Sequence, residues 1–274
     1  MPIVLLKDCY ANLSRVRGQV VLITGAAGGI GRAGNEIRRL GGQACYALCD
    51  VSSWDDQVAL FELGHKEFGH INVVLANAGI GDLEAFTGTV YLKSAVPLEP
   101  NLKALQVDLI GPIYTSRLAM WYFHNAKIRE EDNNKQQSLI FTASMAAFTG
   151  VPQNPMYSAS KAGLLGVMKA IQASCLPLMR FNDYAVRLGT GMIPDGLPYG
   201  TGIIPNGLGA KLSHTKMEDV VGSPVAAATD PAQATNFSAY LIPSDTGVFR
   251  WDTIGYKLGT ELLDRAYQAL EHKL

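Results

Sequence analysis

Charge is scarce in this chain. Asp, Glu, Lys and Arg make up 17 % of its 274 residues, against roughly 25 % in an ordinary soluble domain. The charges also nearly cancel, with 23 Lys plus Arg against 24 Asp plus Glu. Nucleic acids and anionic membrane surfaces are bound through excess positive charge, so neither is expected as a partner. Cysteine is sparse: Cys9, Cys45, Cys49 and Cys175 form no Cys-x-x-Cys pair, and disulfide scaffolds belong to short secreted chains. They read as small buried hydrophobes. No cluster of His, Cys and carboxylates has metal-ligand spacing, so no catalytic metal is expected. No apolar run reaches the ~18 residues of a membrane span, and the short start Ile3-Val4-Leu5-Leu6 is broken at once by Lys7 and Asp8. A cytoplasmic protein is the expectation.

What the chain does have is apolar mass, 48 % of its residues. That excludes disorder and suffices for one large core, or at most two. So little charge points to deep burial or to a subunit interface.

Short apolar runs alternate with amphipathic stretches. Gln19–Thr24, Ala44–Cys49, Asn72–Ala76, Leu139–Ala143, Asp183–Leu188 and Ala239–Ile242 read as strands, the final one as the last strand. Helices are predicted from the glycine turn to about Leu40, from Ser53 to Phe68, over 102–125, over 157–175, from Thr215, and over 259–270. Ser53-Trp54-Asp55-Asp56 has capping-box spacing, and Pro177 closes the 157–175 helix. Residues 127–137 are polar and highly charged, and 189–209 are rich in glycine and proline; both read as loops. Such alternation gives an α/β fold, a doubly wound parallel sheet with helices on both faces.

Two constellations carry chemistry. Thr24-Gly25-Ala26-Ala27-Gly28-Gly29-Ile30-Gly31 lies between a predicted strand and a predicted helix. Gly25 permits the tight turn, Gly29 a close approach to a pyrophosphate, and Gly31 close packing of helix on sheet, with the helix N-terminus facing the phosphates. Tyr157 and Lys161 are four apart, so on a helix they share one face. An ammonium beside a phenol favours the phenolate, a pairing suited to proton exchange near neutral pH. Ser144, ending a strand, can hydrogen-bond a substrate oxygen where charge develops.

Together, Thr24-Gly25-x-x-x-Gly29-x-Gly31, Asn77-Ala78-Gly79, Ser144 and Tyr157-Ser158-Ala159-Ser160-Lys161 resemble the short-chain dehydrogenase/reductase family over roughly residues 18–250. The resemblance implies a Rossmann-like domain, an NAD(P) cofactor, and alcohol–carbonyl redox chemistry. Ser144 would orient the carbonyl, Tyr157 exchange its proton, and Lys161 hold the nicotinamide ribose. Cofactor contacts would come from Gly25, Gly29, Ile30, Gly31, Asn77, Ala78 and Gly79, with Ile193 and Thr201 near the nicotinamide amide. The implied assembly is a homodimer or homotetramer through helices 102–125 and 157–175.

Three features depart from the family pattern. Asp108 stands where the family has an asparagine that holds a water in a proton relay to the lysine, and it would pair with Lys161 if close. The nucleotide half has room for one strand–helix unit fewer than usual. Asp50-Val51 resembles the family's third-strand Asp-Val beside the adenine, yet Asp50 also lies 19 residues after Gly31, the interval of the second-strand acid that binds the ribose. Crossover handedness assigns Ala44–Cys49 to the second-strand slot, which puts Asp50 near the ribose and favours NAD over NADP. Finally, Gly189 replaces the family's asparagine and Asp195 its glycine, leaving 189–214 as a substrate loop.

The expected organisation is an N-terminal leader over 1–17 and a single domain over 18–274. The expected function is oxidoreduction of a small or medium apolar alcohol or ketone. The alternatives are a non-redox isomerase, cyclase or lyase on the same fold, or a catalytically silent oligomeric scaffold.

Overall fold

A computed structural model describes residues 3–4, 18–26, 37–38, 41–84, 86, 93–126, 137–147, 150–174, 179–186, 238–242 and 248–252. Strands β1 (Ile3–Val4), β2 (Val21–Ile23), β3 (Val73–Ala76), β4 (Gln137–Ser144), β5 (Met179–Val186), β6 (Ser238–Ile242) and β7 (Val248–Asp252) form one sheet in the order β1-β7-β6-β5-β4-β3-β2. From β2 to β6 every pairing is parallel. β7 returns antiparallel to β6, and Ile3–Val4 pair antiparallel with β7 in the same sheet.

Parallel neighbours need crossovers, and among the described residues helices supply three of them. Helix α1 (Trp54–Phe68) joins β2 to β3. It starts where the sequence predicted: the Ser53 hydroxyl accepts the Asp56 N–H, and Gly69, at φ 79, ends the helix by donating to the His65 carbonyl. Helix α2 joins β3 to β4 in three consecutive pieces: Lys103–Leu105, a π-helical turn at Gln106–Ile110, and Gly111–Asn125. Helix α3 (Pro155–Ser174) joins β4 to β5.

The central strands are buried on both faces. All four residues of β3 and seven of the eight in β4 are buried, as expected of a parallel sheet covered by helices. Phe61 of α1, Leu118 and Phe123 of α2, and Leu164 and Met168 of α3 share one apolar core with Val74, Leu139 and Phe141 of the sheet. Buried Gln57 locks α1 to α2: its amide nitrogen donates to the carbonyls of Val51 (2.6 Å) and Gly111 (2.9 Å), while its oxygen accepts from Thr115 Oγ1 (2.7 Å).

Three expectations are corrected. Ala44–Cys49 forms no strand and is largely exposed, with Leu48 fully so. An apolar run becomes a strand only with a hydrogen-bonding neighbour, and among the described residues none pairs with the outer edge of β2. The Arg38 guanidinium instead donates to the Ala44 carbonyl and the Tyr46 hydroxyl and lies over the Tyr46 ring. Cys45 is therefore exposed and Cys49 half-buried, neither being a core residue. Ala239–Ile242 is also not the last strand, since β7 follows it. The glycine turn beyond Ala26 and the segments 127–136, 189–214 and 259–270 lie outside the described residues. Of the helix predicted up to Leu40, only Ile37 and Arg38 are described, and both are helical.

Candidate active site

The carboxyl ends of β2, β3 and β4 meet at one edge of the sheet, where open α/β sheets bind ligands. Thr24 and Asn77 clasp the first two. Thr24 Oγ1 accepts the N–H groups of Asn77 (3.0 Å) and Ala78 (3.1 Å), and the Asn77 amide donates to the Thr24 carbonyl (3.1 Å). The Asn77 side-chain oxygen accepts from Thr142 Oγ1 on β4 (3.2 Å), so one asparagine ties three strands. Gly25 follows at φ +70, and a Cβ there would stand 2.8 Å from Ala78 Cα. Only glycine satisfies both conditions. Gly29, Ile30, Gly31, Ile193 and Thr201 lie outside the described residues.

Lys161 projects from α3 into a buried cluster. Its Nζ donates to the Thr142 carbonyl at 3.1 Å and lies 3.2 Å from Asp108 Oδ2, with the two side chains 4 % and 0 % exposed. Asp108 Oδ1 accepts the Ile80 N–H at 2.8 Å, so the carboxylate bridges the loop after β3 to α3. Asp108 sits inside the π turn of α2. Such turns insert a residue and re-aim side chains, and this one aims Asp108 at the lysine. Burial pushes its carboxyl above the ordinary range, the Lys161 charge opposing that rise.

Lys161 Nζ lies 5.4 Å from the centre of the Tyr157 ring. Ser144 ends β4, buried, with its Oγ accepting the Ala146 N–H at 3.1 Å. Gly79 faces the ion pair: a Cβ there would come within 3.1 Å of Asp108 Oδ2 and 3.4 Å of Lys161 Nζ. The fold thus brings Gly79, Asp108, Tyr157 and Lys161 together from three separate elements.

Asp82 is a site residue that the sequence did not reveal. It is buried, and its carboxylate accepts the N–H groups of Met156 (3.1 Å) and Tyr157 (2.7 Å) in the first turn of α3. Asn154, just before the helix, accepts the Asp82 backbone N–H at 3.3 Å, a second tie between this loop and the start of α3. A carboxylate from elsewhere in the chain thereby caps the helix that carries Tyr157. Pro155 at the helix start, preceded by an asparagine, gave the only local signal of a capped terminus.

The position expected of Asp50 is also corrected. Without a strand at Ala44–Cys49, Asp50 does not end a second strand. It lies in an exposed turn, its carboxylate accepting both Ser52 N–H (2.9 Å) and Ser52 Oγ (2.6 Å) and pairing with Lys103 Nζ at 3.4 Å. Those hydrogen bonds from Ser52, with help from the Lys103 charge, hold its carboxyl below the ordinary range. Val51 is buried against Gly111 of α2.

Comparison with known proteins agrees with this geometry. A family model described as short chain dehydrogenase matches residues 32–179. The short-chain dehydrogenase/reductase prx4 of Penicillium rubens is 26 % identical over 193 residues, covering 64 % of this chain and 55 % of that protein. The 3-hydroxyacyl-CoA dehydrogenase type-2 of Bos taurus is 31 % identical over 186 residues, covering 60 % of this chain and 70 % of that one. This chain spans about half the length of the first curated relatives it matches. Among solved structures, an NADPH-dependent 3-quinuclidinone reductase from Rhodotorula rubra is similar in fold, with a TM-score of 0.63, 20 % identity, and coverage of 82 % of this chain and 90 % of that one.

Proposed function

The chain belongs to the short-chain dehydrogenase/reductase family, and on that premise we propose that it is an NAD(P)-dependent oxidoreductase interconverting an alcohol and a ketone on a small or medium apolar substrate. The observation that carries this reading is Tyr157 one helical turn before a buried lysine, at the carboxyl edge of the parallel sheet. The described residues fit a nicotinamide dinucleotide. Gly25 and Gly79 are exposed at that edge, and glycine at 79 leaves the approach to Lys161 open. The Lys161 ammonium donates one hydrogen to the Thr142 carbonyl and stands in an ion pair with Asp108 at 3.2 Å, which leaves a hydrogen for a ribose hydroxyl.

When bound, the dinucleotide supplies or accepts the hydride. The protein's own groups handle the proton and the orientation. Ser144 Oγ donates to the substrate oxygen. The Tyr157 hydroxyl gives that oxygen a proton in reduction and takes one in oxidation. Asp82 fixes the start of α3 and so the place of Tyr157. Thr24, Gly25 and Asn77–Gly79 hold the dinucleotide side of the cleft.

The preference for NAD rested on Asp50 at the end of a second strand, and that support is gone. NAD and NADP therefore stand as equal candidates. Self-association through 102–125 and 157–175 remains part of the proposal, supported by Ile110 and Trp121, which α2 exposes while Leu118 and Phe123 enter the core.

The test is turnover of a panel of apolar ketones and secondary alcohols, followed by nicotinamide absorbance. Tyr157→Phe is expected to lose turnover and retain dinucleotide binding. Substrate conversion with no change in nicotinamide oxidation state would move the protein to the non-redox alternative.

A further inference from the structure

The turn just before α3 holds a conformation that its sequence does not favour. The Asn154 N–H donates to the Val151 carbonyl at 3.1 Å, with Pro152 and Gln153 between them. Gln153 stands at φ 65, the only positive φ outside glycine among the described residues. This is a type II turn, whose third residue is ordinarily glycine or asparagine, because a longer side chain strains the left-handed region. Other residues fasten the turn to α3. The Val151 N–H donates to Ser158 Oγ (3.0 Å), the Ser158 N–H and hydroxyl both donate to the Asn154 carbonyl (3.0 and 2.9 Å), and Asn154 Oδ1 accepts the Asp82 N–H. A glycine at 153 would keep all of these bonds and relieve the backbone. Strained residues cluster at active sites and ligand clamps, and this one adjoins such a site. Its neighbour Asn154 is tied to Asp82, whose carboxylate holds the Tyr157 N–H at 2.7 Å. Across the same tie Leu83, directly after Asp82, is 60 % exposed.

Ser144 and Tyr157 serve the reacting oxygen of the substrate and nothing beyond it. We propose that Gln153 is a specificity-determining residue: its side-chain amide hydrogen-bonds a second polar group of the substrate, while Leu83 packs against the apolar part. The substrate class is then an apolar ketone or secondary alcohol that carries a further carbonyl, ester or hydroxyl group a few bonds from the reacting carbon. An amide suits this task because it both donates and accepts. Glycine, the better turn residue, has no group to offer, which is why the strained glutamine is kept. The inference rests on the functional reading above.

The test compares wild type with Gln153→Gly on matched ketones from the panel above, such as acetophenone and ethyl benzoylacetate, the same aryl ketone with an ester added. In the variant, kcat/KM for the keto ester should fall about fivefold to tenfold further than that for acetophenone, the worth of one neutral hydrogen bond, and chiefly through KM. Comparing the two ketones within each protein cancels their intrinsic reactivity. Gln153→Asn, which tolerates a positive φ but is one methylene shorter, should fall between. A second readout needs neither substrate nor cofactor. The Tm of Gln153→Gly should be no lower than that of wild type, since the backbone relaxes and the bonds that fasten the turn remain. A lower Tm would make the side chain a structural tie and overturn the inference, as would an equal fall for both ketones. A wild type inert on the whole panel overturns the functional reading, a result distinct from turnover without this discrimination, which overturns the inference alone.

Discussion

Replacing Asp82 with alanine removes both acceptor oxygens from the first turn of α3. The Met156 and Tyr157 N–H groups then lose bonds of 3.1 and 2.7 Å, while the backbone N–H at position 82 can still donate to Asn154 Oδ1. Loss of a helix cap costs about 0.5–2 kcal/mol, and loss of a negative charge at a helix N-terminus about 0.3–1 kcal/mol more. Because Asp82 is only 6 % exposed, water does not readily replace it, so the total should fall near 2 kcal/mol. For a domain this size that lowers Tm by roughly 4–8 °C, measurable by calorimetry or circular dichroism. Asp82→Asn keeps an acceptor for one N–H and should cost about half as much. In turnover, both variants should lower kcat more than they raise KM, since they loosen the proton donor and leave the apolar substrate contacts in place. An Asp82→Ala protein with wild-type Tm and kcat would refute the view that this distant carboxylate holds the helix.

Two further outcomes follow from the geometry. Gly25→Ala must place a methyl 2.8 Å from Ala78 Cα at a φ of +70; the left-handed backbone alone costs about 1–2 kcal/mol, so a destabilisation of about 2 kcal/mol or more and weakened dinucleotide binding are expected by urea unfolding and calorimetric titration. Asp50 has a folded-state carboxyl held below its ordinary value of 3.8, so its contribution to folding is present above that value and lost as pH falls through the lower, folded one. Asp50→Asn should therefore lose stability against wild type at neutral pH and converge with it in acid, and a stability difference independent of pH would contradict the sign.

Legibility in the sequence followed the range of each interaction. Ser53 with Asp56, and Tyr157 with Lys161, are local spacings that a helix converts directly into contacts. Asn77-Ala78-Gly79 was readable as a motif, although its clasp on Thr24 and Thr142 was not. Asp82 escaped notice because its partners lie 74 and 75 residues away, and a lone aspartate after glycine reads as a turn. The π turn at Gln106–Ile110 was equally hidden: one inserted residue leaves the apolar periodicity of α2 almost intact. Ala44–Cys49 failed for the opposite reason. Its local pattern suits a strand, but strand formation is decided by a neighbour, and Arg38 claims the Ala44 carbonyl and Tyr46 hydroxyl instead.

That missing strand makes cofactor competence the central claim. Calorimetric titration of the purified protein with NAD and with NADP tests it most directly. Saturable one-site binding of at least one of them, weakened by Gly25→Ala, is the expected result. No heat of binding from either dinucleotide at millimolar concentration, in protein shown to be folded, would contradict the account and leave an oligomeric scaffold in its place.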